Sequence, residues 1–449
     1  MHRTSGPSVR GAGRGSWKPW FSGHTGRLPT GLVRIAVLAT SVVAVLLVVF
    51  SPSAAGAATT TVSSELDAVA CPSAAVCVAV GAVETSHKSA SGTLLEESYR
   101  AMAVRTTNGG RRWASVALGS VSADLTGVAC LSVTDCIAVG GTQVVTDGVQ
   151  YAVGAVVVRL SGGVGAAVSE LPSGSRALDA VTCLDSSTCF AAGGADKLRA
   201  LDLLPEMLVT RDGGTKWESA ALPIASGMLQ AVSCGAPTDC VAVGVDAYVA
   251  GVKGGGYSTS RPIGLRSSDE GRSWEVVSLP AGGTSGGAVT VGCRSGGHCV
   301  AAGDQFDWCQ CGTGTPGHYA MTWASDDGGA TWSRHVLPTI GGFDVWYVSS
   351  VSCWTTACMV AATGSRPQPG SDYYALLLPL SVSGTQGGPL SSSADGLQPQ
   401  YVFGLSCRSR IDCVAVGENW SSPPMATVET RSAAGWATTF TASQRQGSQ

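Results

Sequence analysis

The sequence predicts an all-β chain of seven copies of one unit, closed as a seven-bladed β-propeller of four-stranded antiparallel blades. Three observations predict it. Fourteen of the 16 cysteines fall into seven close pairs: Cys71/Cys77, Cys130/Cys136, Cys183/Cys189, Cys234/Cys240, Cys293/Cys299, Cys353/Cys358 and Cys407/Cys413. Successive first cysteines stand 51 to 60 residues apart, which is an internal period. Residues 58–449 allow 56 residues per unit, enough for four short strands, their turns and one longer loop. An eighth blade would need a further pair. Units begin near residues 64, 123, 176, 227, 286, 346 and 400.

Ahead of them, segment 1–57 has the order of a secretory signal. Six basic residues and no acid precede the sixteen-residue apolar run 35–50, and Ala54-Ala55-Gly56-Ala57 follows. Cleavage after Ala57 is expected. The alternative is an uncleaved anchor, against which sixteen helical residues reach only ~24 Å of a ~30 Å hydrocarbon core. Either way the remaining chain is exported, and an even cysteine count in an oxidising space reads first as disulfides.

Each unit opens with an apolar residue five before its first cysteine and another two before it, as in Leu66 and Val69 or Leu229 and Val232. Residues i and i+2 share one face of a strand, so Val69 and Cys71 face the same way. The second cysteine starts a run such as Cys-Val-Ala-Val-Gly, read as a short strand ending at the glycine and packed on both faces. Two such strands form a hairpin stapled across its turn, with the cysteines ~5.5 Å apart at Cα. These staples are local, and cohesion between units must come from apolar strand faces.

Later in four units comes Ser/Thr-x-Asp/Asn-x-Gly-x-x-Trp. Its members are Thr106, Asn108, Gly110 and Trp113; Thr210, Asp212, Gly214 and Trp217; Ser267, Asp269, Gly271 and Trp274; and Ser325, Asp327, Gly329 and Trp332. In such a turn the hydroxyl and carboxylate bond backbone N–H groups, glycine supplies a positive φ, and tryptophan packs beneath. These segments resemble the Asp-box, or bacterial neuraminidase repeat, of sialidase-like β-propellers, sortilin-type receptors and photosystem II assembly factors. The whole unit looks most like the last group in its wider, exported bacterial spread. That resemblance implies that the turn joins the third and fourth strands of a blade and serves structure rather than catalysis. Three units, near 160, 380 and 430, keep the place and lose the aspartate.

In an up-and-down blade the first and third turns emerge on one face, and the second turn emerges on the other with the connection to the next blade. Staples and Asp-box turns therefore occupy a repetitive lower face. The variable second turns crowd the upper face, where recognition concentrates on stiff scaffolds. Candidate ligand-binding residues there are Tyr248, Tyr257, Arg261, Asp307, Trp308, Tyr373 and Trp420, aromatic platforms beside charged groups suited to sugars or protein side chains. Cys309 and Cys311, in the fifth of these loops, could pair with each other, pair between molecules or bind a metal with His318.

The body beyond residue 57 carries 22 Lys and Arg against 31 Asp and Glu, which excludes attraction to nucleic acid or anionic lipid. Membrane contact is expected only through the N-terminal segment. A sialidase reading needs clustered arginines and a tyrosine nucleophile; Arg100, Arg199, Arg261, Arg366 and Tyr99 beside Glu96 and Glu97 are available, but no motif fixes their geometry. No nucleophile elbow, phosphate loop or HExxH occurs. With four histidines beyond residue 57, no metal array and no cofactor are expected. The leading expectation is a monomeric, non-enzymatic propeller that binds a protein partner or an envelope glycan.

Overall fold

The computed structural model describes residues 58–442, apart from 92–93, 147–148, 163–165, 169, 198–199, 249–258, 283–284, 308–316, 338–341, 367–372, 386, 388–390, 393–400, 420 and 433–434. The expected export segment, Cys309 and Cys311 lie outside the described residues. Every regular element described is a strand. The strands form seven antiparallel sheets of four, each in strict chain order, so that blades 1 to 7 span 59–115, 124–168, 178–219, 228–277, 285–336, 344–392 and 401–441.

Seven apolar clusters, each drawn from two successive blades, join these sheets. Val78, Val80 and Ala103 of blade 1 pack on Leu125, Val128 and Ala138 of blade 2. The series ends with Val414, Val416 and Val428 of blade 7 on Leu66, Val69 and Val104 of blade 1. The other five junctions repeat the pattern. First strands of neighbouring blades touch all the way round, and so line the axis of a closed ring. The alternating apolar positions that the sequence places before each first cysteine are these contacts: Leu66, Leu125 and Leu229 are fully buried.

Seven disulfides close within their own blades, and no cysteine among the described residues is free. They join Cys71 to Cys77, Cys130 to Cys136, Cys183 to Cys189, Cys234 to Cys240, Cys293 to Cys299, Cys353 to Cys358 and Cys407 to Cys413. Their Cα separations of 3.8 to 4.1 Å are shorter than the expected ~5.5 Å. The reason is register. Cys130 and Cys136, for example, stand directly opposite each other, and the narrow, non-hydrogen-bonded type of antiparallel pair brings Cα atoms closest.

The staples are also less separate from the junctions between blades than their local pairing suggests. Cys77, Cys136, Cys189, Cys240, Cys299, Cys358 and Cys413 are all buried, at most 3% exposed. Each second cysteine stands first or second in a strand covered on both faces and packs into the apolar cluster shared with the preceding blade. Most of their partners, by contrast, are half-buried; Cys407 alone among the first cysteines is buried. Half of each staple is therefore core of the ring, out of reach of thiols or metals in solution, and the structural role read from the pairing rests on burial as well as on spacing.

The glycine after the second cysteine does not end its strand, as the sequence reading held. Blade 1's second strand runs on from Cys77 to Lys88. Opposite that glycine the first strands of blades 1 to 5 and 7 carry a β-bulge, at Asp67 in blade 1 and Asp179 in blade 3, and blade 6 carries the same bulge opposite Ala361 and Ala362. The bulge pushes a carbonyl into the space a side chain would take: a Cβ on Gly244 would lie 1.9 Å from the Met228 oxygen. Glycine is there because the backbones approach, not because the strand stops.

Candidate functional site

The two faces of the ring are built differently, beginning with the lower one. In each of the four turns a buried hydroxyl, from Thr106, Thr210, Ser267 or Ser325, accepts the N–H of the glycine four residues on at 2.8 to 3.1 Å. It donates to the Asn or Asp two residues on at 2.7 to 3.0 Å. That Oδ1 in turn accepts a backbone N–H, from Arg112, Thr215 and Lys216, Ser273 and Thr331 respectively. The bonds to the ionised form show in the acidities. The Ser273 hydroxyl and N–H hold Asp269 down at about 2, and the Lys216 N–H leads in lowering Asp212. Burial pushes Asp327 up, but the Thr331 hydroxyl and N–H outweigh it.

Trp217, Trp274 and Trp332 are buried under their turns, and Trp113 is half-buried. The turn glycine lies against the preceding blade; a Cβ on Gly271 would come 2.1 Å from the Phe190 ring, which meets Trp274 edge-on. In blades 1 to 5 the third turn also donates a backbone N–H to the stapled first turn, as from Gly109 to Ala75 O at 2.9 Å and Gly213 to Ser187 O at 2.8 Å. Blade 2 keeps this bond, from Gly162 to Thr134 O, although its turn has lost the aspartate. Staples and turns therefore share one face, and the hydroxyls and carboxylates that define the turns are used internally.

The upper face gathers its described groups at blade 6. Phe343 enters the first strand, Arg366 follows the second, and Tyr373 and Tyr374 open the third. Phe343 and Tyr374 meet edge-on, 5.3 Å between centroids, and the Arg366 guanidinium lies 5.4 Å from the first ring and 5.8 Å from the second. Tyr347, on the first strand, is pushed up to about 12 by burial and then by Asp304 of blade 5 and by Tyr373. Trp346 Nε1 donates to Ser365 Oγ at 3.0 Å. Arg366 is exposed, and both Tyr373 and Tyr374 are half-buried. Aromatic faces, a cation and a buried carboxylate thus meet at one rim.

Of the sequence candidates, Tyr373 belongs to this rim. Arg261 is exposed on blade 4, opposite Asp246, which accepts a hydrogen bond from Ser226. Tyr248 and Asp307 end second strands rather than lying in loops, because those strands outrun their glycines. Tyr257, Trp308, Trp420 and Arg199 lie outside the described residues. Arg100 is half-buried on blade 1, with Tyr99 buried, Glu97 half-buried and Glu96 exposed beside it. Arg100, Arg261 and Arg366 stand on three separate blades. Sequence reasoning did not single out Phe343, Trp346 or Tyr347; the available signal was the density of aromatics on both sides of Cys353.

A cleft of about 430 Å³ lies against the outer strands of blade 3 and the segments that join it to blades 2 and 4, walled by Leu204, Leu222 and Ile224. Its charges are spent on one another: Arg176 donates to the buried Glu206 at 2.9 Å.

No protein-family model and no curated protein matches the chain. Similar solved structures include a GH74 enzyme of Niastella koreensis, 12% identical, covering 83% of this chain and 65% of that one with a TM-score of 0.41. YCF48 from Cyanidioschyzon merolae is 14% identical, covering 68% and 96%, with a TM-score of 0.37. A lectin of Aleuria aurantia, in complex with α-methyl-L-fucoside, is 10% identical, covering 85% and 95%, with a TM-score of 0.39.

Proposed function

We propose that the chain is an exported, non-enzymatic propeller that holds a protein partner or an envelope glycan on its upper face, with its four lower turns acting as structural Asp-boxes. One observation carries this reading: on the upper rim an exposed cation, Arg366, stands over two aromatic rings, Phe343 and Tyr374, whereas on the lower face the guanidinium over a ring, Arg431 over Trp436, is half-buried and the turns of blades 1 to 5 are bonded to one another. A guanidinium on aromatic faces beside half-buried tyrosines suits a carboxylate-bearing sugar or an acidic peptide side chain. Tyr248, Tyr257, Arg261, Asp307, Trp308, Tyr373 and Trp420 would extend the surface around the ring. The seven disulfides fit an oxidising, extracellular setting; the export segment 1–57 would deliver the chain there.

The test immobilises the full chain against solubilised envelope fractions and a glycan panel. Retention should fall at least tenfold for Arg366→Ala and Tyr374→Ala, and undiminished retention would remove the rim from consideration. Sustained hydrolysis of a fluorogenic sialoside, abolished by Arg261→Ala or Glu97→Gln, would establish the hydrolase reading instead.

A further inference from the structure

The innermost strands of blades 1, 2 and 3 bring together carboxylates that the binding rim does not use. One carboxylate oxygen each from Glu65, Asp67 and Asp124 lies within 4.8 Å of the other two. Asp124 is only 2% exposed, and its Oδ1 meets no hydrogen-bond partner. A fourth carboxylate, Asp179 on the next blade, lies close enough to feel the Asp124 charge, and its Oδ2 is shielded from solvent and without a partner.

Clustered carboxylates with buried, unbonded oxygens are costly without a compensating cation. We propose that Glu65, Asp67 and Asp124, with Asp179 beside them, bind a divalent cation, calcium in preference to magnesium or zinc. The donors are all oxygens, which selects a hard ion. Calcium accepts six to eight oxygens at about 2.4 Å in irregular geometry, so oxygens on that sphere stand up to about 4.8 Å apart, and small side-chain rotations bring all three within reach of one ion. Magnesium requires a tighter octahedron and retains its water. The ligands come from three successive blades, two at the position six before a first cysteine (Glu65 and Asp124) and two at the bulge four before it (Asp67 and Asp179). The ion would therefore cross-link neighbouring blades on the axis, where the seven described disulfides, each within one blade, cannot.

The experiment measures thermal unfolding and terbium luminescence of the full chain, stripped with chelator and then titrated with calcium. Millimolar calcium should raise the melting temperature by several degrees, as expected of an extracellular site with a dissociation constant of roughly 10⁻⁴ to 10⁻³ M. Magnesium should achieve less. Asp124→Asn should keep its far-ultraviolet dichroism and lose calcium affinity at least tenfold, and Asp179→Asn should weaken it as well. No shift and no terbium signal in the parent chain at about 10 mM calcium would overturn the proposal, as would an undiminished response in both variants. Retention of ligands by the Arg366 rim reads a different surface, so failure of either proposal leaves the other standing.

Discussion

The backbone N–H of Cys71 in blade 1 donates to the hydroxyl of Ser406 in blade 7 at 3.1 Å, a bond between residues 335 apart in sequence that helps to close the ring. The same bond recurs inside the ring, from Cys293 to Ser233 at 2.9 Å and from Cys407 to Ser352 at 2.8 Å. In each case the hydroxyl one residue before a first cysteine receives the first-cysteine N–H of the next blade. Closure uses no shared strand, because blades 1 and 7 are each built from one continuous stretch of chain. The terminal junction is left with its apolar cluster and a few hydrogen bonds, including Ser64 N to Pro424 O at 3.1 Å and Trp113 Nε1 to Thr439 Oγ1 at 3.2 Å.

Ser406→Ala leaves a part-buried N–H without its acceptor, at a cost of about 1–2 kcal/mol. Urea denaturation should show that loss. Hydrogen exchange should quicken first along 59–70 and 401–409, whereas Ser233→Ala should cost a similar amount without opening that junction. Equal exchange in the two variants would mean that the apolar cluster alone holds the ends.

The unit count, the staples and the hydroxyl-carboxylate turns were legible because each is a pattern within some ten residues, as Thr210, Asp212 and Gly214 illustrate. The bulge was not: nothing in Leu66-Asp67-Ala68 marks Asp67 as the extra residue until Gly81 is placed opposite it. Nor does the spacing of Cys183 and Cys189 show that only the second is sealed in the core, since blade 2 supplies the cover. The rim at Arg366 was legible only in part, since Phe343, Arg366 and Tyr374 stand at the ends of three strands that register alone brings together. The acidic cluster was least legible. Asp67 and Asp124 become neighbours only when blade 2 packs on blade 1, and a search framed by histidine and cysteine spacing passes over oxygen ligands.

Glycine at the strand bulge makes the second prediction. Gly244→Ala would set a Cβ 1.9 Å from the Met228 carbonyl oxygen, a collision with backbone that no side-chain rotation relieves. The variant should lose about 3 kcal/mol or more, or fail to accumulate. Gly119→Ala, at a positive φ but with open space around it, should cost only about 1–2 kcal/mol. Comparing denaturation midpoints separates collision from conformational strain.

Glu270 offers a gain. Its φ of 61° is left-handed, and the equivalent position of the other three turns is Gly109, Gly213 and Gly328, each also at positive φ. The left-handed penalty for a side chain, about 1–2 kcal/mol, exceeds the extra chain entropy that glycine brings, about 0.5–1 kcal/mol. The Glu270–Arg272 ion pair is exposed on both sides and contributes little. Glu270→Gly should therefore stabilise the protein by up to about 1 kcal/mol, read as a higher urea midpoint; an unchanged or lower midpoint would show that the turn tolerates its glutamate.

Acid should loosen the lower face before the rest. Asp269, Asp212 and Asp327 are all held below the usual carboxylate range in the fold, as are Asp135, by the Ser161, Thr134 and Ser132 hydroxyls, and Asp185, by the Ser187 N–H and hydroxyl and then the Thr188 N–H. A carboxylate depressed in the native state stabilises it fully above its unfolded value of about 3.9, and that contribution drains away as the pH falls through the folded value. For Asp269 the window runs from there down to about 2. The denaturation midpoint should hold steady from about pH 7 to about pH 5 on account of these groups and drop between about pH 4 and about pH 2. Blade 1 supplies the control, since Asn108 makes the same bonds to Thr106 and Arg112 without titrating. Replacing Asp212, Asp269 and Asp327 by asparagine should keep the turns and flatten the acid limb, whereas Ser273→Ala should return Asp269 toward the ordinary range and move its part of the loss to higher pH. An acid limb unaltered in the triple variant would place the sensitivity outside these turns.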